Sequence, residues 1–474
     1  MNVRVRPVHS RLFLVLLEGA CLLPLLIASR GAAQPAATPA AFQDGDRWCA
    51  LGDSITHGGT YHDLVQLFYL TRFPGRTVVA FNCGISGDTA AGALRRLDWD
   101  VLAKRPTVSS VMFGMNDVGR ALYGNDRGGP GVTQQRREHI ASYRENLALI
   151  VSRLREAGSH VILLTPSIFD QTFEGEPPKQ TGVNDALSAC AEIVRELAAS
   201  SNCAVVDIFA LMERINREQQ AKDLAFTVVG PDRVHPGAPG HFLMAYAFLK
   251  AQEMPSLVSR LSIDLVNNGV AVENGTVEDV RKQHDGGLLF TWAARALPFP
   301  VDPEIQPALG LVPFMQELNQ EVLQVLGLRR GRYELRVDDS STGVFTAEQF
   351  AAGINLAAIP DTPQFVQALD VLRLVKARAE LVSENLRRIA QVEFRLVPDL
   401  PRPVTLDQVR PLIDVRLLSL EPVPDNASFR RALELYSQRK SRESEALGSA
   451  DRLARLAGLT AQPRSHIYLI RPAR

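Results

Sequence analysis

The sequence predicts an α/β fold, a parallel sheet with helices on both faces, followed by a second region of α+β character. Short β-rich apolar runs recur through the first half, at 48–51, 78–81, 108–113, 161–164 and 205–209. Longer segments with helical spacing separate them, as the crossovers of a parallel sheet require. Beyond about residue 252 this alternation stops.

Taken in chain order, the first 33 residues stand apart from the fold. Arg4, Arg6 and Arg11 precede an apolar run from Leu12 to Ile27, and small residues follow as far as Ala33. That is the pattern of an export signal. The run has sixteen residues and contains Glu18 and Pro24, whereas a membrane-spanning helix needs about 20 apolar residues. Cleavage after Ala33 is therefore expected, with a short Ala- and Pro-bearing linker over 34–44. No later run is long enough to span a bilayer, so the expected product is secreted or periplasmic, without stable membrane insertion.

Helices are expected over 61–71, 88–103, 134–156, 184–199 and 240–251. The third carries Ile140, Tyr143, Leu147, Ile150 and Leu154 on one stripe. Five strands and their crossovers make one domain over 45–252. In open sheets of this kind ligands bind beyond the carboxyl ends of the strands, so chemistry is expected in the loops that follow them. Over 253–474, strands are expected at 259–264 and 287–292. A hairpin joins 333–337 to Val344 and Phe345, helices run over 363–392 and 428–456, and a last strand occupies 467–470. This region is accessory, with no role assigned. Its stripe of Leu372, Val375, Ala379, Val382, Leu386 and Ile389 suits packing on a neighbouring helix or on the first domain.

Composition bounds the function. The chain has 52 Lys and Arg against 52 Asp and Glu, with 46% hydrophobic and 22% charged residues, so neither disorder nor a nucleic-acid-binding charge balance is indicated. The five cysteines lack the spacing of a thiolate metal site, and those beyond the signal are expected to be free buried thiols.

Four loops carry candidate chemistry. The first strand ends in Gly52-Asp53-Ser54-Ile55-Thr56, which puts a serine at a strand-to-helix turn; the same residue types also suit a turn and a helix cap. The second ends in Asn82-Cys83-Gly84-Ile85-Ser86-Gly87-Asp88-Thr89, where Gly87 lets backbone approach a ligand, Ser86 is a rival nucleophile, and Asp88 or Thr89 could cap a helix. The third ends in Gly114-Met115-Asn116-Asp117, whose Asn amide can donate to an oxyanion. The fourth is Asp232-Arg233-Val234-His235-Pro236, in which a carboxylate three residues before an imidazole can orient it as a base. Asp232 and His235 with His57, His62 and Asp63 do not form a convincing metal set. His139, His160 and His241 are read as structural.

Together the four loops resemble the Ser, Gly, Asn and His blocks of the SGNH branch of the GDSL hydrolases, over about 48–250. The resemblance implies a three-layer, flavodoxin-like α/β/α domain. It makes Ser54 the nucleophile and first oxyanion donor, Gly87 and Asn116 the further oxyanion donors, and Asp232 and His235 the rest of a Ser-His-Asp triad, with no metal and no cofactor. Ile55 departs from the Leu of the name-giving motif, and the 82–89 segment looks like bacterial lysophospholipase and thioesterase members. The implied activity is carboxylic ester hydrolysis through an acyl-enzyme, with short acyl, chiefly acetyl, esters of carbohydrates as the expected substrates. A lipid acyl hydrolase is the alternative, and a catalytically silent carbohydrate-binding scaffold is the alternative of another class. The expected partner is a small-molecule or saccharide ester, not nucleic acid.

Overall fold

Five parallel strands form the central sheet of the computed structural model: β1 (Arg47–Gly52), β2 (Val79–Gly84), β3 (Val108–Met112), β4 (His160–Leu164) and β5 (Ala204–Val206), in the order β2-β1-β3-β4-β5. The described residues are 37–473 without 125–127, 176–178 and 422, so the expected export signal lies outside them. This strand order is flavodoxin-like, and the direction of winding reverses between β1 and β3. The crevice at that switch point is bounded by the loops after β1, β2 and β3, three of the four segments singled out above.

Helices cover both faces: α1 (Ser54–His57), α2 (Tyr61–Arg72), α3 (Ala90–Arg96), α4 (Pro130–Glu156), α5 (Val183–Ser201), α6 (Ile208–Gln220) and α7 (Ala238–Ala251). The apolar stripe of α4 does as its spacing predicts, burying Tyr143, Leu147, Ile150 and Leu154. Two elements differ from expectation. The strand expected over 205–209 stops at Val206, because the Asp207 side chain accepts from Ala210 N–H and starts a helix. The helix expected over 88–103 begins two residues later, where Thr89 caps it through Gly92 N–H, and relaxes into a π-helical turn at Leu97–Val101. Cys49, Cys83, Cys190 and Cys203 are free and buried.

The remaining chain builds two further sheets. One is β13-β10-β6-β7, from β6 (Leu257–Asp264), β7 (Gly269–Glu273), β10 (Gln320–Leu326) and β13 (Ile354–Asn355). The other is β12-β11-β14-β9-β8, from β8 (Gly275–Lys282), β9 (Leu288–Ala294), β11 (Arg332–Val337), β12 (Ser340–Thr346) and β14 (Ser465–Pro472). Leu261 and Leu323 of the first share one core with Phe290, Trp292, Leu335 and Tyr468 of the second. The predicted hairpin is the β11–β12 pair. The helix expected over 363–392 runs as Pro363–Leu381, a π-helical turn Val382–Arg387, and Arg388–Leu396.

The described residues form one compact unit. The core of the first sheet continues past residue 252 into Leu297, Phe299, Phe314 and Leu318, and into Ala368, Val371, Leu372 and Val375 of the 363–381 helix. Leu372 and Val375 thus bring the first part of the predicted C-terminal stripe against the first sheet's core, whereas Ile389 packs in a separate cluster with Val409, Ile413 and Tyr436. Polar contacts follow the same seam. Arg72 donates to the carbonyls of Pro255 (2.8 Å), Leu257 (3.0 Å) and Leu318 (2.7 Å).

A buried charge cluster fastens the seam near the crevice. Arg387 donates through both terminal nitrogens to Asp100, at 2.7 and 2.6 Å, and through Nε to the Gly84 carbonyl at 3.0 Å. Asp100 also receives Arg96 and Lys104. Removing one partner of a buried pair leaves charge uncompensated. Arg387→Ala is expected to destabilise the protein by on the order of 3 kcal/mol, read as a lower midpoint in denaturant unfolding; an unchanged midpoint would show that the cluster does not hold the halves together.

Candidate active site

The site assembles from strand ends. At the end of β1 the chain turns at Asp53, whose side chain accepts from Ile55 N–H at 2.9 Å and caps α1. Ser54 is the first residue of that helix. The cap reading and the nucleophile reading of this motif therefore fall on different residues: Asp53 caps, and the Ser54 hydroxyl is left to face the crevice.

From the other side comes the loop before α7. Asp232 Oδ1 accepts from Val234 N–H (3.0 Å) and His235 N–H (2.9 Å), which curls the loop around its own carboxylate. Asp232 Oδ2 lies 2.5 Å from His235 Nδ1, and His235 Nε2 lies 2.8 Å from Ser54 Oγ. Nδ1–H donates to the carboxylate, which leaves the Nε2 lone pair for the serine O–H. Asp232 is partly buried, which raises a carboxyl, but the hydrogen bonds from His235 and the loop amides outweigh this and hold it at about 2. It is therefore ionised throughout the neutral range. Arg233, between the two, adopts a left-handed backbone (φ 68°) and is buried, donating to the carbonyls of Asp170 and Phe173 at 3.0 and 2.6 Å and to that of Gly175. The loop is thus pinned from below while Asp232 and His235 face outward.

The second and third loops complete the crevice. Gly87 has φ 74°, a left-handed conformation, and a Cβ there would meet Arg395 Nη2 at 2.9 Å. The left-handed φ calls for glycine at this position, whereas the Arg395 guanidinium, the end of a flexible exposed side chain, could shift aside. Asn116 Nδ2 donates to the Asp88 carbonyl at 2.8 Å and lies 3.5 Å from Asp53 Oδ2, so its amide sits between the first and second loops. Asp117 accepts from Ala90 N–H (2.8 Å) and Gly114 N–H (3.0 Å) and ties the third loop to α3; burial pushes its carboxyl up to about 7. Among the described residues neither the Ser54 nor the Gly87 N–H is taken up by a protein acceptor. The structure thus brings together all five residues named from the sequence, Ser54, Gly87, Asn116, Asp232 and His235.

The rival nucleophile Ser86 is placed elsewhere. Its N–H donates to His57 Nδ1 at 3.1 Å and its Oγ lies 3.0 Å from the same nitrogen, while His57 Nε2 faces the Ser383 carbonyl at 3.1 Å. Burial, reinforced by nearby arginines, lowers the His57 ring to about 3, so it is neutral. Among the described residues no group of three His, Cys, Asp or Glu side chains is arranged to hold a metal.

The GDSL-like Lipase/Acylhydrolase family matches residues 50–243. A solved structure described as BT4096, a gut microbial diltiazem-metabolizing enzyme, is 31% identical with a TM-score of 0.81, over 93% of this chain and 100% of that one. The chain belongs to the SGNH/GDSL esterase family. As a member it is a carboxylic ester hydrolase. An acetylxylan esterase of Geobacillus stearothermophilus is 27% identical over 221 residues, 44% of this chain and 93% of that protein. An uncharacterized lipoprotein, YqeF, of Bacillus subtilis (strain 168) is 32% identical over 122 residues, 24% of this chain and 46% of that protein. The BT4096 similarity extends across the C-terminal half, so the two chains share that half as well.

Sequence reading missed several residues around the site. Asp88 was read as a possible cap, but it accepts from Arg96 Nε at 2.7 Å. His57 and the C-terminal residues Gln391 and Arg395, both donors to the second loop, carried no local signal, since their partners lie 29 or more positions away. The loops after β3 and β4, expected to border the site, touch each other through Gln180 Nε2 and the Arg120 carbonyl, 3.2 Å apart.

Asp53 supplies a pH test. Burial pushes its carboxyl up from 3.8 to about 6. A raised folded-state pKa contributes stability below the unfolded value and loses it as pH rises through the folded one. Asp53→Asn keeps an acceptor for Ile55 and cannot ionise. Its stability relative to the parent should therefore shift in the variant's favour between pH 4 and pH 8, by on the order of 3 kcal/mol at most. Urea unfolding at both pH values measures this, and a pH-independent difference would contradict it.

Proposed function

We propose that the protein is an exported serine esterase that removes short acyl groups, chiefly acetyl, from carbohydrates through an acyl-enzyme. The observation that carries the reading is the relay Asp232–His235–Ser54, at 2.5 and 2.8 Å. In the first step His235 Nε2 takes the Ser54 proton while Oγ bonds to the ester carbonyl carbon. The tetrahedral oxygen receives the N–H groups of Ser54 and Gly87 and the Asn116 amide. Collapse breaks the bond to the alcohol, which leaves with the proton from His235. Water then attacks the acyl-enzyme by the same route in reverse and releases the acid. Asp232 stays ionised and balances the imidazolium. No residue in this scheme requires a metal or cofactor.

The acetylxylan esterase relative supports an acetylated saccharide as substrate. Export is supported by the charge and hydropathy pattern of residues 1–33 and by the match to a protein described as a lipoprotein. Among the described residues no helix is long and apolar enough to cross a membrane.

With p-nitrophenyl acetate, Ser54→Ala is expected to abolish turnover. Asn116→Ala should lower kcat about 100- to 1,000-fold, the usual effect of losing one oxyanion donor. Full activity in the serine variant would sink the assignment. On a panel of acetylated xylo-oligosaccharides and p-nitrophenyl esters of increasing acyl length, kcat/KM should fall as the acyl chain grows; a rise toward long chains would favour a lipid acyl hydrolase.

A further inference from the structure

The helix Arg388–Leu396 and the residue before it lay a row of donors along the second loop. Arg387, Gln391 and Arg395 are four residues apart and so share one helix face. Arg387 Nε donates to the Gly84 carbonyl at 3.0 Å. Gln391 Nε2 lies 3.3 Å from the Ser86 carbonyl. Arg395 Nη2 donates to the Gly87 carbonyl at 2.8 Å and lies 3.4 Å from that of Ser86. Apolar packing presses the same surfaces together, with Ile85 of the loop fully buried against Ala390 and Phe394 of the helix.

The Ser86 carbonyl and the Gly87 N–H belong to one peptide unit. In a planar trans peptide these groups point in opposite directions. A donor held on the carbonyl side therefore fixes where the N–H points, and it also polarises the unit so that the N–H donates more strongly. The preceding peptide is fixed as well, because its N–H, that of Ser86, donates to His57 Nδ1 and His57 in turn contacts the Ser383 carbonyl of the C-terminal region. Gly87 is in a left-handed conformation (φ 74°), and glycine populates φ on either side of zero about as readily. Without outside bonds this peptide could flip and carry its N–H away from the crevice.

We propose that Gln391 and Arg395 are positioning residues of the esterase site: they hold the Ser86–Gly87 peptide so that the Gly87 N–H faces the developing oxyanion. The C-terminal half then contributes to the chemistry of a site whose reacting groups all lie in the first half. This inference rests on the assignment of Ser54 and Gly87 above. It adds a role that neither the four sequence blocks nor the family match over 50–243 contains.

Gln391 and Arg395 also line a cavity of about 260 Å³ with Ser86, Gly87, Arg416 and Phe429. A direct contact with substrate is therefore the alternative that the test must separate. Arg395 is exposed, so its truncation leaves no buried group unpaired and the fold is expected to survive. In the full-length protein, Arg395→Ala and the double variant with Gln391→Ala are assayed on p-nitrophenyl acetate and titrated with phenylboronic acid. The boronate forms a tetrahedral adduct on a reactive serine and places an oxygen where the oxyanion would sit. Positioning predicts a kcat lowered about tenfold or more with KM little changed, since small misplacement of a catalytic group is costly. It also predicts a boronate inhibition constant that rises in parallel, and partial recovery in Arg395→Lys. Unchanged kcat and unchanged boronate affinity in the double variant would overturn the proposal, as would a rise in KM alone, which would make Arg395 a substrate contact. Ser54→Ala, run alongside, separates the two levels. If it stays active the esterase assignment itself fails; if it is dead while the double variant equals the parent, only the positioning role fails.

Discussion

The carboxylate of Asp100 is the point on which the two halves of the molecule meet. Burial by itself pushes its pKa up, but Arg387 and Lys104, with Arg96, outweigh this and hold it well below the usual carboxylate range. Breaking such a pair is far more costly than never having built it. The geometry is economical in its reach. Arg96 also donates to the carbonyls of Cys83 (2.8 Å) and Gly52 (3.1 Å) and to Asp88 (2.7 Å). Arg387 adds the Gly84 carbonyl. One buried cluster thereby fixes the ends of β1 and β2, the two strands whose loops carry Ser54 and Gly87.

From this anchor the site divides its labour. The first sheet and its loops provide every group proposed to touch substrate. The C-terminal half provides bracing: a helix across the second loop, Ser383 behind His57, and apolar side chains that extend the first core. The continuous core makes the division of the chain near residue 252 one of sequence pattern more than of packing. The two later sheets share a core of their own, and Arg72 ties the first sheet's helical layer to the start of β6 through the Pro255 and Leu257 carbonyls.

Much of this was legible in the sequence, and the reasons for the exceptions are physical. Parallel strands buried on both faces announce themselves as apolar runs, so β1 to β4 and the stripe of α4 were readable to within a residue or two at most ends. Residues whose partners are close in sequence were also readable: Asp232 and His235 are three apart and sit on one tight loop. Strands β7, β8, β10 and β13 were missed, because an exposed face weakens the apolar signal in β7 and β8 and β13 is two residues long. Arg387, Gln391 and Arg395 look like ordinary solvated polar residues on an amphipathic helix. Their partners are backbone carbonyls some 300 positions earlier, and a carbonyl has no residue type for a motif to record. The four blocks thus specify the groups that react but not those that hold them in place.

We propose Ser54, and not Ser86, as the nucleophile activated by His235. Mass-spectrometric mapping of the protein after reaction with a fluorophosphonate tests it most directly. A single adduct per chain, on the peptide carrying Ser54, is expected. An adduct on Ser86, or no adduct on a folded protein that hydrolyses p-nitrophenyl acetate, would contradict it.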